Sequence, residues 1–302
     1  MFQRTLLNSC RFEGKGLHTG KYSQISVCPA PPDTGIVFVR TDLGIEVPAR
    51  SDYVVATRRS TTLGKGRAHI GTVEHLLSAL SGMGIDNARI ELRSREVPII
   101  DGSAAPFAEG IIAAGIQEQD APRRWLEIPH ELFIKNSSSG SWIRVTPADE
   151  PSMEITVDYG SRVIGVQTVR IDRSVDYASQ IAPCRTFCFL HEIWPQLALG
   201  LAKGGDVNNA IIAVEHPVSQ HRLDTLARKF GTQRISVTPE GYLSNLELRF
   251  PDECARHKML DLIGDLRLCG GFLKARITAF KPGHAINTAA AAQIFKSLIH
   301  NG

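Results

Sequence analysis

At 302 residues the chain is long enough for about two domains, and its 43% hydrophobic and 22% charged residues are ordinary for a globular protein with a buried core. A net charge of only +3, with scattered basic residues, argues against a nucleic-acid binder. The sequence has no signal-peptide core near its first residue and no apolar run of membrane-spanning length, which predicts a cytoplasmic protein without an integral membrane segment.

The first part of the chain is predicted to form a small unit of strands and helices. Its elements are strands at residues 22–28, 36–40 and 88–93 and helices at 72–81 and 106–114. Alternating or β-branched residues predict the strands, and the turn signal A-P-P-D-T-G separates the first two. Thr72 is the predicted N-cap of the first helix, and Gly82 and Gly84 are expected to end that helix.

The second part of the chain repeats this plan after a predicted linker, A-P-R-R-W, near residues 121–125. Its predicted elements are strands at residues 128–135, 142–145, 153–157, 166–171 and 273–280 and helices at 254–268 and 284–298. A helix, glycines, a strand and a second helix follow one another once in each half. This repeat predicts an α+β fold of two domains with similar topology, residues 1–121 and 126–302, that share a cleft.

Residues 188–250 include a predicted insertion, because they do not repeat the first half. Residues 190–201 are an apolar helix candidate, and residues 221–230 form an amphipathic one. The insertion either shapes a pocket or caps the sheet, since apolar helices that line a ligand and apolar helices that are simply buried have the same pattern.

Three polar residues lie one helical turn apart within an apolar helix of the second half. His257, Asp261 and Asp265 follow i, i+4, i+8 spacing, which places an imidazole and two carboxylates on one stripe. Carboxylates beside a core face are costly unless a charged or hydrogen-bonding group meets them, and zinc accepts both imidazole and carboxylate ligands. The alternative is a solvated helix edge with a salt bridge to Lys258 or Arg267, and the spacing alone does not exclude it.

Two further segments carry residues suited to acid–base chemistry. Glu74 and His75 are adjacent on one helix, as are the glutamate and histidine of the H-E-x-x-H metalloproteases. His284 lies at the start of the last helix, where Asp265 is a candidate partner. The sequence contains no P-loop and no G-x-S-x-G motif, which argues against a P-loop nucleotidase and a serine hydrolase.

The motifs G-L-H-T-G, T-V-E-H, D-G-S-A-A-P-F, R-T-F, R-H-K-M-L-D-L-I-G-D-L and G-H-A-I-N occur in this order. In combination they resemble the UDP-3-O-acyl-N-acetylglucosamine deacetylases, zinc amidases of lipid A biosynthesis, over residues 3–295. The resemblance implies two α+β domains, each a sheet layered with helices, with an active site at the domain interface. It also implies UDP-3-O-acyl-N-acetylglucosamine as the substrate and one Zn²⁺ per chain, and a monomer is expected.

The resemblance also implies roles for individual residues. The implied zinc ligands are His75, His257 and Asp261. Glu74 would be the general base, and His284, oriented by Asp265, would be the second acid–base group. Thr186 would help to hold the tetrahedral oxyanion. Two other classes stay open: a catalytically inactive, nucleotide-sugar-binding relative, against which the complete residue set argues, and a metal-stabilised scaffold.

Further side chains match substrate-binding positions of the family. These are Lys258 and Lys281 near the diphosphate, Asp158 and Tyr159 at the uridine, and His18, Phe187 and Phe189 along the sugar and the acyl chain. The acyl chain itself is expected to lie on apolar residues of the insertion: Leu190, Ile193, Trp194, Leu197, Leu199 and Leu201. The chain departs from the family pattern at Ser141, Tyr159 and Cys188, and residues 216–248 are similar to the branch fused to an acyl-carrier-protein dehydratase.

Overall fold

The computed structural model describes residues 1–198 and 209–299. The elements of the first half are β1 (Phe2–Leu6), β2 (Cys10–Lys15), β3 (Tyr22–Pro29), β4 (Ile36–Arg40), β5 (Ile45–Pro48), β6 (Val54–Ala56), β7 (Thr62–Lys65), β8 (Ala68–Ile70), α1 (Glu74–Gly82), β9 (Ala88–Leu92), α2 (Ala105–Ala114) and β10 (Ile116–Pro122). The elements of the second half are β11 (Trp125–Leu126), β12 (Leu132–Asn136), β13 (Ser141–Pro147), β14 (Ser152–Asp158), β15 (Val166–Ile171), α3 (Tyr177–Gln180), β16 (Phe187–Phe189), α4 (Leu190–Ala198), β17 (Ile211–Ala213), α5 (Gln220–Phe230), α6 (Glu253–Leu266), β18 (Phe272–Leu273), β19 (Ala275–Phe280) and α7 (His284–Ile299).

The two halves contain five-stranded sheets with the same topology. The strand order is β2-β3-β9-β4-β5 in the first half and β12-β13-β19-β14-β15 in the second. The central strand of each sheet, β9 or β19, is the one that comes last in the sequence among the strands of that sheet. It pairs parallel to one neighbour and antiparallel to the other. A helix precedes and follows this central strand in both halves, so the predicted α+β repeat is confirmed.

Helices α1 and α6 occupy equivalent positions in the two halves and pack directly against each other. A Cβ atom added to Gly264 of α6 would lie 2.1 Å from the backbone oxygen of Glu74 in α1, so only glycine permits this approach. Leu76 and Leu80 of α1 belong to the same buried apolar cluster as Leu262 and Leu266 of α6. The close packing places the first turn of α1 beside the middle of α6.

The predicted helix boundaries differ from the structure at Thr72. Helix α1 begins at Glu74, and Thr72 is not its N-cap, because the residue at that position is Val73 and makes no side-chain cap. Thr72 instead has a left-handed backbone, with φ of 57°, and its hydroxyl donates to Oε1 of Glu96 at 3.0 Å. A tertiary hydrogen bond therefore replaces the local capping bond that the sequence predicts.

The predicted linker is largely structured, because β10 extends to Pro122 and β11 begins at Trp125. The domain limits at residues 121 and 126 stay a prediction. In the insertion, Leu190 of α4 packs with Leu223 and Leu226 of α5 in a small apolar cluster separate from the main core. Among the described helices, none combines the length and apolarity needed to cross a membrane.

Candidate metal centre and active site

The three predicted metal ligands lie together where α1 meets α6. His75 is the second residue of α1, and His257 and Asp261 are one turn apart on α6. Nε2 of His75 is 3.8 Å from Oδ1 of Asp261, and Nε2 of His257 is 3.5 Å from the same oxygen. One possible ligand atom from each of the three residues lies within 4.8 Å of the other two, and all three residues are buried. Both halves of the fold thus contribute to one cluster of two imidazoles and a carboxylate.

The hydrogen bonds of this cluster fit a bound cation. Nδ1 of His257 lies 3.0 Å from the carbonyl oxygen of Cys184, which accepts its proton and leaves Nε2 with a free lone pair. Oδ1 of Asp261 is buried and has no hydrogen-bond partner within the described part of the chain, although Oδ2 accepts from Nζ of Lys258 at 2.7 Å. A buried carboxylate oxygen without a partner is costly, and a metal ion supplies the missing partner.

The protonation states of the cluster also suit metal ligation. Burial lowers the pKa of His75 to about 3 and also lowers the pKa of His257, so both imidazoles are neutral near pH 7. Burial opposes ionisation of Asp261, but the Lys258 ammonium beside it outweighs burial and holds the pKa of this carboxyl below its usual range. Two neutral imidazoles and one carboxylate form a ligand set that zinc accepts, with a position left for water or substrate.

Glu74 borders the cluster from the first position of α1. Its carboxylate is buried, and Oε2 accepts a hydrogen bond from the backbone N–H of Thr61 at 3.0 Å. Oε1 lies 3.8 Å from Nε2 of His284. Burial raises the pKa of Glu74 to about 8, against the opposing influence of His284. A carboxyl with a pKa near neutrality is suited to accept and release a proton.

His284 faces Glu74 and is held from behind by Asp265. Oδ2 of Asp265 accepts from Nδ1 of His284 at 2.9 Å and from Nδ2 of Asn287 at 3.0 Å. This bond keeps the proton on Nδ1 and directs Nε2 toward Glu74. Burial lowers the pKa of His284, but the Asp265 and Glu74 carboxylates outweigh burial and raise it to about 9. The imidazole is therefore a proton donor at neutral pH.

Thr61 links Glu74 to Asp265, the partner of His284, and the sequence analysis did not identify it. Its backbone N–H donates to Glu74, and its hydroxyl donates to Oδ1 of Asp265 at 2.5 Å. Thr61 is fully buried and belongs to the first half, whereas Asp265 belongs to the second. No local pattern marks a threonine that acts through a partner 204 residues away. Asn287 lies within the G-H-A-I-N motif, and that motif was the available signal for it.

A second unpredicted residue, Glu96, holds the G-L-H-T-G turn in place. Its buried carboxylate accepts from the backbone N–H groups of His18 and Thr19 at 2.9 and 2.8 Å, and from the hydroxyl of Thr72. A Cβ atom on Gly16 would come within 2.3 Å of this carboxylate, which explains the first glycine of the turn. Glu96 therefore ties the turn that carries His18 to the segment just before α1.

The predicted aromatic residues gather beside the metal candidates. The ring of Tyr159 packs edge-on against Phe187 at 5.5 Å and against Phe189 at 5.8 Å, measured between centroids. Phe187 in turn lies 6.4 Å from the ring of His257, and Nζ of Lys258 lies 5.4 Å from the centre of the Phe187 ring. The three aromatic rings and Lys258 thus form a wall that leads away from His257.

Other predicted substrate residues lie at the ends of the second sheet and in the R-T-F segment. Nζ of Lys281, just after β19, is 3.2 Å from Oδ2 of Asp158 at the end of β14. Thr186 bonds through its backbone N–H to the oxygen of Gly102 at 2.8 Å. Its neighbour Arg185 forms a buried ion pair with Glu253 of α6, with Nε 2.9 Å from Oε1. This ion pair anchors the R-T-F segment to the helix that carries His257.

The predicted acyl-binding residues are described only in part. Leu190 is buried in the apolar cluster of the insertion, and Ile193 and Trp194 are half-buried against it. Leu190 and Trp194 also line a cavity of about 220 Å³ together with residues 214–218. The side chains of the other three predicted residues, Leu197, Leu199 and Leu201, lie outside the described residues.

Comparisons with known proteins agree on one family. The sequence model described as LpxC, UDP-3-O-acyl N-acetylglycosamine deacetylase, matches residues 3–227 and 224–296. The bifunctional enzyme LpxC/FabZ of Chlorobaculum tepidum is 43% identical over 97% of this chain and 64% of its own length. The enzyme of the same name from Porphyromonas gingivalis is 38% identical over 99% of this chain and 65% of its own length.

This chain covers a larger share of a monofunctional relative. The UDP-3-O-acyl-N-acetylglucosamine deacetylase of Anaeromyxobacter sp. (strain Fw109-5) is 42% identical over 97% of this chain and 88% of the relative. The chain spans slightly less than two thirds of the two bifunctional relatives but most of this one. Because the family model matches nearly the whole sequence, the chain belongs to the UDP-3-O-acyl N-acetylglycosamine deacetylase family.

Proposed function

We propose that the chain hydrolyses the N-acetyl amide of UDP-3-O-acyl-N-acetylglucosamine, giving UDP-3-O-acyl-glucosamine and acetate in lipid A biosynthesis. The observation that carries this proposal is the buried His75, His257 and Asp261 cluster, which lies beside the facing pair Glu74 and His284. The names of the relatives supply the substrate. The cytoplasmic location and the monomeric state stay predictions from the sequence.

The chemistry of amide hydrolysis matches this set of residues. Zinc held by the cluster would act as a Lewis acid that polarises the amide carbonyl and acidifies the attacking water. Glu74 takes a proton from that water as it attacks. His284 gives a proton to the leaving nitrogen, because an unprotonated amide nitrogen is a very poor leaving group. Asp265 and Thr61 keep the two groups facing each other, as their hydrogen bonds indicate.

The wall formed by Tyr159, Phe187, Phe189 and Lys258 is proposed to receive the nucleotide sugar. The rings offer stacking faces, and the ammonium group of Lys258 offers a positive charge to the diphosphate. Lys281, Asp158 and His18 are proposed to extend this surface. The side chain of Thr186 is proposed to donate to the developing oxyanion.

One assay separates this proposal from its alternatives. Purified protein loaded with zinc is incubated with UDP-3-O-acyl-N-acetylglucosamine, and metal content, released acetate and bound nucleotide sugar are measured on the same preparation. One zinc per chain with acetate release supports the enzyme. Zinc without acetate release would favour the metal-stabilised scaffold. Nucleotide-sugar binding without acetate release would favour the inactive relative, against which the hydrogen-bonded arrangement of Glu74, His284 and Asp265 argues.

Replacing Thr186 with alanine is expected to lower kcat by about 10- to 1000-fold, the range that a well-placed oxyanion donor supplies. The effect should fall on kcat, since the oxyanion exists only after the attack. Steady-state kinetics on the zinc-loaded variant measure it. An unchanged kcat would remove Thr186 from the mechanism.

The insertion is expected to make the enzyme prefer an acylated substrate. Each buried methylene contributes about 0.8 kcal/mol, so four of them contribute about 3 kcal/mol, roughly a hundredfold in kcat/KM. The comparison uses UDP-3-O-acyl-N-acetylglucosamine and UDP-N-acetylglucosamine with the same preparation. Equal kcat/KM values would show that the enzyme does not recognise the acyl chain of the substrate. They would also remove Leu190, Ile193 and Trp194 from substrate binding.

Replacing Thr61 with valine is expected to lower kcat by about 10- to 100-fold with little change in KM, because the hydrogen bond that fixes Asp265 behind His284 is lost, and outer hydrogen bonds behind the ligands of metal sites have costs of this size. Valine keeps the shape and the backbone N–H that Glu74 accepts but loses the hydroxyl bound by Asp265. Thr61→Ser keeps the hydroxyl and should restore most of kcat. The neighbouring Thr62→Val is the matched control, and an equal loss in that variant would contradict a specific role for Thr61.

A further inference from the structure

The D-G-S-A-A-P-F motif covers residues 101–107 and leads from β9 into α2. None of its side chains belongs to the proposed metal ligands or to the acid–base pair. The backbone around it is strained, because Ile100 has φ of 53° and Gly102 has φ of 82°. A β-branched residue rarely adopts this left-handed conformation, and such strain persists only where neighbouring contacts hold the backbone in place.

The first three residues of the motif form a turn, here called the D-G-S turn, which Asp101 closes. Oδ1 of Asp101 accepts from the backbone N–H and from the hydroxyl of Ser103, at 3.0 and 2.8 Å. Oδ2 accepts from Nη2 of Arg249 at 3.1 Å, and Nη1 of the same guanidinium donates to the carbonyl oxygen of Pro183 at 2.5 Å. The D-G-S turn is therefore fixed by its own carboxylate and tied through Arg249 to the chain just before the R-T-F segment.

Two backbone hydrogen bonds join this part of the first half to residues 182–186 of the second. The N–H of Ala104 donates to the oxygen of Ala182 at 2.9 Å, and the N–H of Thr186 donates to the oxygen of Gly102 at 2.8 Å. The first half of the fold therefore holds this stretch of the second half at both of its ends.

Gly102 also leaves room for the side chain of Thr186. A Cβ atom added to Gly102 would lie 3.3 Å from Cγ2 of Thr186 and 1.9 Å from the backbone oxygen of Asn209. The Thr186 methyl group therefore faces the bare backbone of Gly102. Because the methyl and hydroxyl groups of threonine turn together about χ1, the position of the methyl group also sets the direction of the hydroxyl. A side chain at residue 102 would displace the Asn209 backbone, the Thr186 methyl group or both.

The hydroxyl of Thr186 is available for a substrate contact. It makes no hydrogen bond within the part of the chain that the structure describes. Two residues earlier, the carbonyl oxygen of Cys184 accepts from Nδ1 of His257 at 3.0 Å. One short stretch of backbone thus carries the proposed oxyanion donor beside a proposed zinc ligand, and its position decides where the donor lies relative to the metal centre.

We propose that Gly102 is a positioning residue for the deacetylase reaction, which holds the Thr186 hydroxyl where the oxyanion forms. This inference rests on the proposed function, in which Thr186 donates to that oxyanion. The D-G-S turn keeps Gly102 in place, and Gly102 sets both the backbone position and the side-chain direction of Thr186. The alternative is a turn that only stabilises the fold where α2 begins, and that alternative predicts no loss of kcat in a folded variant.

Gly102→Ala is expected to lower kcat by about 10- to 1000-fold, because a misplaced oxyanion donor loses part or all of its effect. Zinc content and KM should stay near the wild-type values, since the proposed metal ligands and nucleotide-binding side chains are unchanged. The measurement is the steady-state rate of acetate release by the zinc-loaded variant with UDP-3-O-acyl-N-acetylglucosamine. Gly44→Ala is the matched control, because Gly44 has φ of 64° and open space at its Cβ position, and it should keep the wild-type kcat.

A double-mutant cycle shows whether Gly102 acts through Thr186. In the Thr186→Ala background, Gly102→Ala should cause no further loss of kcat, because the hydroxyl that it misplaces is already absent. Losses that multiply would mean that Gly102 acts through another group, and the proposal would be wrong. Amide exchange measured by mass spectrometry gives a second readout. Residues 182–186 should exchange faster in Gly102→Ala than in the wild type or in Gly44→Ala, and unchanged exchange would also count against the proposal.

Asp101→Ala tests the same turn if Gly102→Ala does not fold. It removes the acceptor of both Ser103 bonds and of the Arg249 bond, and it should lower kcat by about 10-fold, the usual value of a hydrogen bond to a charged group. Asp172→Ala is the matched control. It removes an equivalent pair of bonds to Ser174 in the turn after β15 and should leave kcat unchanged.

The outcomes separate this inference from the proposed function. Wild-type protein that releases no acetate would overturn the proposed function, and this inference with it. Active wild-type protein with an unchanged kcat in Thr186→Ala would keep the deacetylase but remove the role of Thr186 and, with it, that of Gly102. A kcat that falls in Thr186→Ala but not in folded Gly102→Ala, or not in Asp101→Ala where Gly102→Ala does not fold, would overturn this inference alone.

Discussion

Replacing His257 with alanine is expected to abolish stoichiometric zinc binding and to eliminate acetate release. His257 is buried, its Nδ1 proton is held by the carbonyl oxygen of Cys184, and its Nε2 faces the carboxylate of Asp261. Alanine removes one of the three proposed ligands, and the remaining two would not make a tight zinc site. The measurement is metal content by atomic emission after dialysis, together with acetate release by the same sample.

The matched control is His130→Ala, which removes an exposed histidine from the same half of the chain. It should keep one zinc per chain and full activity. Retention of one tight zinc by His257→Ala would place the metal elsewhere. Because the proposed ligands come from α1 in one half and α6 in the other, a chelator should lower the Tm of the wild-type protein and have little effect on the Tm of His257→Ala.

The repeated fold was predictable from the sequence because it rests on local patterns. Glycines after a helix, followed by a strand and a second helix, occur in both halves, and the two sheets have the same strand order. His75 of the first half and Asp261 of the second lie 3.8 Å apart where the equivalent helices α1 and α6 meet. The sequence does not predict the close packing of Gly264 on the backbone of Glu74, which requires both halves in three dimensions.

The metal candidates show that a metal site and a salt bridge at one helix face are compatible, although the face is buried and the solvated edge that was the alternative is wrong. The spacing of His257, Asp261 and Asp265 permitted either a metal site or a salt bridge to Lys258 or Arg267. Lys258 does pair with Asp261, but through Oδ2, and Oδ1 still faces the imidazoles. Arg267 makes no such pair and turns to backbone carbonyl oxygens of the first half. Spacing alone does not reveal which oxygen of a carboxylate is occupied.

The residues that sequence reasoning missed act across long distances in the chain. Thr61 bonds to Asp265, 204 positions later, and Glu96 bonds to the turn at His18, 78 positions earlier. Neither belongs to a periodic pattern or a dense motif. The prediction of Thr72 as a helix cap failed for a related reason. The capping rule considers only a threonine just before a helix, whereas the hydroxyl of Thr72 bonds to Glu96, which is distant in the sequence.

Replacing Glu74 with glutamine is expected to keep one zinc per chain and to lower kcat by about 100- to 10,000-fold, the range attributed to a positioned general base. Glutamine has the same shape, and its oxygen can still accept the backbone N–H of Thr61, so the first turn of α1 should be preserved. It cannot take a proton from water. Glu74→Ala should show the same retention of zinc and a similar loss of kcat, with a lower Tm because the Thr61 N–H loses its acceptor.

Two measurements on these variants test whether Glu74 acts on water or holds the metal. Zinc content should stay at one per chain, and KM for the acylated substrate should change little, since Glu74 is expected to act in the transition state and not in ground-state binding. The exposed Glu118→Gln is the matched control and should leave both kcat and zinc content unchanged. Loss of zinc in Glu74→Gln would make Glu74 a ligand. A normal kcat would assign the proton of the attacking water to another residue, for which His284, 3.8 Å from Glu74, is a candidate.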